Sequence, residues 1–138
     1  MDMKLELIVV PVADVDRAKA FYAEKAGFTV DVDFSAGEDF RVVQLTPPGS
    51  ACSISIMKNK EAAGSLQGLH LVVAGIDAAR AELAERGLEV GEAYHFGAGG
   101  QMPGHDPERR DYGTFASFSD PDGNGWVLQE VRSRGGEA

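Results

Sequence analysis

Side chains able to do chemistry are few in this 138-residue chain, and they are scattered. The histidines are His70, His95 and His105, and Cys52 is the single cysteine. His70 interrupts the apolar run Leu69–Val73. There it is either a core histidine bonded to backbone or to a neighbouring Gln129, or a group presented to a ligand. His95 stands at the start of a long Gly/Pro-containing loop, where it is a candidate general base. Within that loop, Gln101–Tyr112 mixes charges, a histidine and two prolines. Two readings stay open for it: a lid that brings Arg110 or Tyr112 onto a ligand, or a solvated surface loop. Cys52 has the strand parity of apolar neighbours, which predicts a buried thiol rather than a nucleophile. Asp120, Asp122, Asn124 and Gly125 imitate the start of a calcium loop. The twelfth position is Val131 instead of Glu, however, and strands flank the segment, so a tight turn is predicted. Gly97, Gly99 and Gly100 are not followed by the Lys-Ser/Thr of a phosphate loop.

Composition narrows the partners. A formal net charge of −9 opposes nucleic-acid binding, which needs a basic face, and is compatible with a cationic ligand. No apolar run approaches the ~20 residues of a membrane span. Met1-Asp2-Met3-Lys4 has no signal-peptide pattern, and one cysteine cannot form an internal disulfide. Both fit a cytoplasmic protein. Hydrophobic residues make up 43% of the chain, enough for a real core.

The elements that must position these groups are written twice. Residues 12–24 register on 73–85 without a gap. Val12-Ala13-Asp14-Val15-Asp16-Arg17-Ala18 leads into a helix ending at Gly27, and Val73-Ala74-Gly75-Ile76-Asp77-Ala78-Ala79 into one ending at Gly87. A repeat of roughly 60 residues in two copies is too long for a solenoid and predicts two similar modules. In the first module (4–58), the reading is a strand over 5–12, a helix capped by Asp14 with Val15, Ala18 and Tyr22 buried, a hairpin 28–34/40–45, and a strand over 52–57. A polar linker, 59–66, follows. In the second module (67–132), strands are predicted at 69–73, 88–96, 112–119 and 125–132, with a helix over 76–86. The tail 133–138 reads as disordered.

This double strand-helix-strand-strand-strand pattern resembles the vicinal oxygen chelate superfamily: glyoxalase I, extradiol dioxygenases, fosfomycin-resistance enzymes and bleomycin-binding proteins. The resemblance is carried by Asp14-Val15-Asp16-Arg17-Ala18-Lys19-Ala20-Phe21-Tyr22 after the first strand and by Ser119-Asp120-Pro121-Asp122-Gly123-Asn124-Gly125-Trp126 before the last. It implies an α+β fold of two βαβββ modules forming a barrel-like cup, in which the first and last strands of each module run parallel and adjacent. It also implies a homodimer, and, in glyoxalase-like members, a divalent metal held by His, Gln and Glu from those strands.

Carried onto this chain, the family's metal-ligand positions fall on Leu7, Ser55, Gly68 and Val127. None is a good ligand. Strand alternation puts Ile8, Val10, Ile54, Ile56, Leu69, Leu71, Trp126 and Leu128 on a helix-facing side. Leu7, Val9, Ser53, Ser55, Gly68, His70, Val127 and Gln129 then line the opposite side. His70 and Gln129 each lie two residues past a family position and are expected side by side, matched in the first module by apolar Val9 and Met57. Glu6 and Glu130 should face away. The expectation is a metal-free, cofactor-free protein that binds a small-molecule drug or metabolite through Leu7, Val9, Ser55, Met57, His70, His95, Arg110, Tyr112 and Gln129. The alternative is a glyoxalase-like lyase or related enzyme using His70, with or without a divalent metal.

Overall fold

The computed structural model describes residues 1–136. The chain divides into two compact units, the first comprising Met1–Leu66 with Asp120–Asn124, the second Gln67–Ser119 with the segment from Gly125 onward. The Asp-Pro-Asp-Gly turn, which the sequence places in the second module, groups with the first unit.

Unit one holds strand β1 (Leu7–Val12), helix α1 (Val15–Ala20) and strands β2 (Thr29–Ala36), β3 (Phe40–Thr46) and β4 (Ser53–Lys58). Its sheet order is β1-β4-β3-β2, with β1 and β4 parallel and the other pairs antiparallel. Asp14 caps α1 by accepting the Arg17 N–H at 3.1 Å. Beyond Ala20 the helix widens into a π turn over Phe21–Lys25, so the predicted helix to Gly27 is present but not α throughout. Val15, Ala18 and Tyr22 are buried, as expected, with Val10, Val12, Val43, Leu45, Ile54 and Ile56. The turn Asp120–Asn124 completes this core. Buried Asp120 accepts the Tyr22 hydroxyl at 2.7 Å and the Asn124 side-chain amide at 2.8 Å, and Asn124 in turn donates to the Pro11 carbonyl at 2.9 Å. Those bonds satisfy a carboxylate that would be costly to bury bare. This is the tight turn that the sequence predicts, used as a structural plug.

Unit two holds β5 (Leu69–Val73), α2 (Ile76–Glu85), β6 (Tyr94–Gly97), β7 (Gly100–Pro103), β8 (Phe115–Ser119) and β9 (Gly125–Glu130), in the order β5-β9-β8-β6-β7. β5 and β9 are parallel neighbours. Both sheets are open rather than closed barrels. Three expectations are corrected here. The strand expected over 88–96 is formed only at Tyr94–Gly97. Part of the presumed loop 97–111 is strand β7, hairpinned onto β6 from Tyr94↔Pro103 to Gly97↔Gly100. The tail turns through a 3-10 helix at Arg132–Gly136, with the Ser133 N–H donating to Asp111, rather than starting out disordered; residues 137 and 138 lie outside the described residues.

Helix α2 exchanges its cap with a strand. Where unit one has Asp14, unit two has Gly75, which offers no side-chain cap. Glu130, at the end of β9, supplies it instead: Oε2 accepts the Ile76 N–H at 2.9 Å. Lys58 holds the corresponding place at the end of β4, since Val12 pairs with Lys58 and Val73 with Glu130. A carboxylate thus meets each helix start from a different element.

Candidate functional site

The site is built from strand parity and register within unit two. Leu69, Leu71, Ala116, Phe118, Trp126 and Leu128 point to the α2 side, where Phe118 and Trp126 stack with centroids 6.0 Å apart. His70, Val127, Gln129, Phe115 and Ser117 share the other side. Registers Leu69↔Trp126 and His70↔Val127 correct one expectation: His70 lies opposite Val127, while Gln129 lies opposite Val72. The two polar groups share a face, but on a diagonal, one strand over and two residues along. At the usual strand spacing and rise that is about 8 Å between Cα atoms.

Each has a fixed partner. His70 Nδ1 lies 2.8 Å from the Gly68 carbonyl, and Gln129 Nε2 donates to the Tyr112 carbonyl at 3.1 Å. His70 is exposed and Gln129 half-buried.

Next to Gln129 across the sheet stands a row that sequence reasoning missed. Phe115 pairs with Gln129, and Tyr94 with Phe115. Tyr94 stacks on Phe115 at 5.6 Å, and Phe96 meets both rings edge-on at 5.9 and 5.4 Å. Phe96 remains 58% exposed. Such an open row is a ready surface for a flat apolar molecule. The Tyr94 hydroxyl is held against Ser117 at 2.8 Å. A signal was present in the alternation Tyr94-His95-Phe96 and Phe115-Ala116-Ser117. Register was not, and only register places these rings beside Gln129.

The remaining candidates separate. His95 alternates with Tyr94 and Phe96 and points to the opposite side; its Nδ1 lies 2.8 Å from the Gly104 carbonyl. Arg110 is turned to Asp106, with contacts of 2.9 and 3.1 Å. The Arg110 guanidinium, aided by the backbone N–H groups of Arg110 and Glu108, holds the Asp106 carboxyl well below the usual range despite its burial. Tyr112 is exposed at φ 69, its N–H donating to the Glu130 carbonyl at 2.7 Å. Asp106, Arg109 and Tyr112 therefore pin the 104–112 segment to the sheet at several points. Glu130 faces away from the site, as expected. Burial pushes its carboxyl up, but hydrogen bonds from Arg109, at 3.1 and 2.8 Å, and from the Ile76 N–H leave it below its ordinary value.

In unit one, Leu7, Val9, Ser55 and Met57 share one sheet face, with Val9 beside Ser55 and Leu7 beside Ser53. Gln44 pairs with Ser55 on that face, and Val32 with Gln44. Ser53 and Ser55 are buried, and Ser53 lies 2.6 Å from the Thr46 hydroxyl. Cys52, expected buried, is only half-buried and lies immediately before β4.

The metal implied by the family resemblance does not fit these residues. Leu7 and Val127 carry hydrocarbon, Gly68 carries nothing, and Ser55 offers one neutral hydroxyl. Divalent centres take three or four N, O or S donors. Among the described residues no group of three or more His, Cys, Asp or Glu could hold an ion.

The βαβββ topology of unit one, repeated in unit two with β7 as an added edge strand, and the turn signature agree with the match of residues 4–128 to the family model: the chain belongs to the Glyoxalase/Bleomycin resistance protein/Dioxygenase superfamily. Among solved structures it is similar to TnmS3, an antibiotic binding protein from Streptomyces sp. CB03234, with 34% identity and a TM-score of 0.73 over 94% of this chain and 97% of that one. A glyoxalase/bleomycin resistance protein from the same organism is 35% identical, with a TM-score of 0.69 over 92% of this chain and all of that one (100%). The uncharacterized protein YetH of Bacillus subtilis (strain 168) is 27% identical over 134 residues, 94% of this chain and 100% of YetH.

Proposed function

We propose that this protein is a metal-free binding protein for a small amphipathic molecule, a drug or metabolite, rather than a metal-dependent lyase or dioxygenase. The observation that carries the reading is the open aromatic row Tyr94–Phe96–Phe115 beside Gln129, on a face that also carries His70 and a few other polar groups. Likeness to an antibiotic-binding protein supports it. So does the donor chemistry at Leu7, Ser55, Gly68 and Val127, which suits packing and not coordination. A second reading, acid/base catalysis by His70 as in a glyoxalase-like enzyme, is favoured only by the exposure of its ring.

Two measurements test the proposal. Elemental analysis of purified protein should find no stoichiometric Ni, Zn, Mn or Fe, and chelator should leave the melting temperature unchanged. A tightly bound equivalent of any of these metals would refute the metal-free reading. A thermal-shift screen of flat aromatic compounds should then give stabilisation that Phe115→Ala reduces; turnover of a bound compound abolished by His70→Ala would favour the enzyme instead. Assembly as a homodimer in the cytoplasm accompanies the reading. Exposed Val9, Val32, Phe34 and Phe40 on unit one offer apolar surface for a second copy, and sedimentation velocity would report it. Among the described residues, no helix is long and apolar enough to cross a membrane.

A further inference from the structure

We infer that the binding face of unit two presents hydrogen-bond acceptors, so that its ligand is a flat aromatic molecule bearing hydroxyl or amine donors and no carboxylate; this rests on the binding reading above. A backbone carbonyl only accepts. With Nδ1 2.8 Å from the Gly68 carbonyl, the neutral His70 ring must carry its proton on Nδ1. Its Nε2 is then a lone pair. The same logic fixes Gln129. Its amide lies 3.1 Å from the Tyr112 carbonyl, so the group facing that oxygen is Nε2, and Oε1 is turned away from it as an acceptor.

The Tyr112 carbonyl is itself held in place. Tyr112 sits in the left-handed region at φ 69, and Arg109, three residues earlier, at φ 50. Side chains rarely adopt this conformation unless their surroundings impose it. Here the constraints are the 2.7 Å bond from the Tyr112 N–H to the Glu130 carbonyl and the grip of Glu130 on Arg109. Asp106 adds its bonds to the Glu108 and Arg110 N–H groups. The amide of Gln129 is thereby oriented by the loop, and the loop by buried carboxylates. Two acceptors about 8 Å apart on the Cα scale flank Val127, and Gln129 pairs across the sheet with Phe115. A planar molecule lying on Phe115 and Tyr94 can point a donor at Gln129, and one long enough to cross β9 can point a second at His70. A carboxylate would face two lone pairs on a chain of net charge −9.

The test uses the full chain and three probes of one ring system: 2-naphthol, 2-methoxynaphthalene and 2-naphthoate. Long-range ¹H–¹⁵N spectra of the free protein should show neutral His70 protonated at Nδ1. An Nε2-protonated ring overturns the inference without touching the binding reading. Titrations followed by amide shifts in β8 and β9 should rank naphthol roughly three- to tenfold tighter than its methyl ether, the worth of one net hydrogen bond. Naphthoate should bind weakest. Gln129→Leu should bring naphthol's affinity down towards that of the ether. Equal affinities for all three probes, or a preference for naphthoate, refute the acceptor assignment while upholding a binding face. Failure of every probe to shift β8 or β9 refutes the binding reading itself and the inference with it.

Discussion

Replacing Arg109 by Met isolates the energetics of the buried Glu130. The Glu130 side chain is fully buried, and its partners include two guanidinium contacts, at 3.1 and 2.8 Å, and the Ile76 N–H at 2.9 Å. Met keeps most of the packing of the Arg stem but strips both charge-assisted bonds. Breaking a buried pair by removing one partner typically costs about 3–5 kcal/mol, because the surviving charge is left uncompensated. Since Arg109 is 32% exposed, the low end applies: about 3 kcal/mol at pH 7. With a urea slope of about 1.5 kcal/mol per molar for a chain of this size, the midpoint should fall by roughly 2 M at unchanged slope. The pH dependence gives a sharper check. In the wild type, the folded-state value of Glu130 is lowered from 4.5, so its contribution is present above that value and is lost as pH falls through the folded value. In Arg109→Met the desolvation survives without its opponent, and the carboxyl should move up. Folded variant then takes up protons more readily than unfolded chain, and its deficit should shrink as pH is lowered from 7 towards 5. Glu130→Gln added to Arg109→Met should recover much of the loss at pH 7, because no bare charge remains. A deficit below about 1 kcal/mol, or one that is constant between pH 7 and 5, would refute the reasoning.

Other perturbations probe different links. Tyr22→Phe removes the buried hydroxyl from Asp120 and should cost about 1.5–3 kcal/mol in urea denaturation, the worth of a hydrogen bond to a charged group. Asp14→Ala should cost about 1 kcal/mol by loss of the α1 cap, read by the same assay. Gly64 and Gly68 make a matched pair at φ +84 and +80: alanine at 68 meets open space, whereas at 64 its Cβ would fall within 2.2 Å of the Asp122 backbone oxygen. Gly68→Ala should lose about 1–2 kcal/mol from conformation alone, and Gly64→Ala distinctly more; equal losses would show that the Asp122 turn yields freely.

The repeat of 12–24 on 73–85 was enough to derive two modules, and alternation was enough to divide each first and last strand into a helix side and an open side. Both follow from local chemistry, because strand parity and helix caps are properties of neighbouring residues. The same reasoning placed Glu130 away from the open side and showed that Leu7, Gly68 and Val127 lack donor atoms. Register is different. Whether His70 faces Val127 or Gln129 depends on how β5 slides along β9, and that is settled by packing across the whole sheet. Phe115 lies far from Tyr94 and Phe96 in the chain and joins them in one surface only through β8 standing between β9 and β6. Glycines at 97, 99 and 100 disguised β7 as loop, because the hairpin draws its stability from pairing and not from residue propensity. What the sequence determined by itself was thus the doubled motif and the character of each strand face. The tertiary structure alone decided which side chains meet, because hydrogen-bond partners such as Gly68 for His70 and Tyr112 for Gln129 are chosen by distance in space.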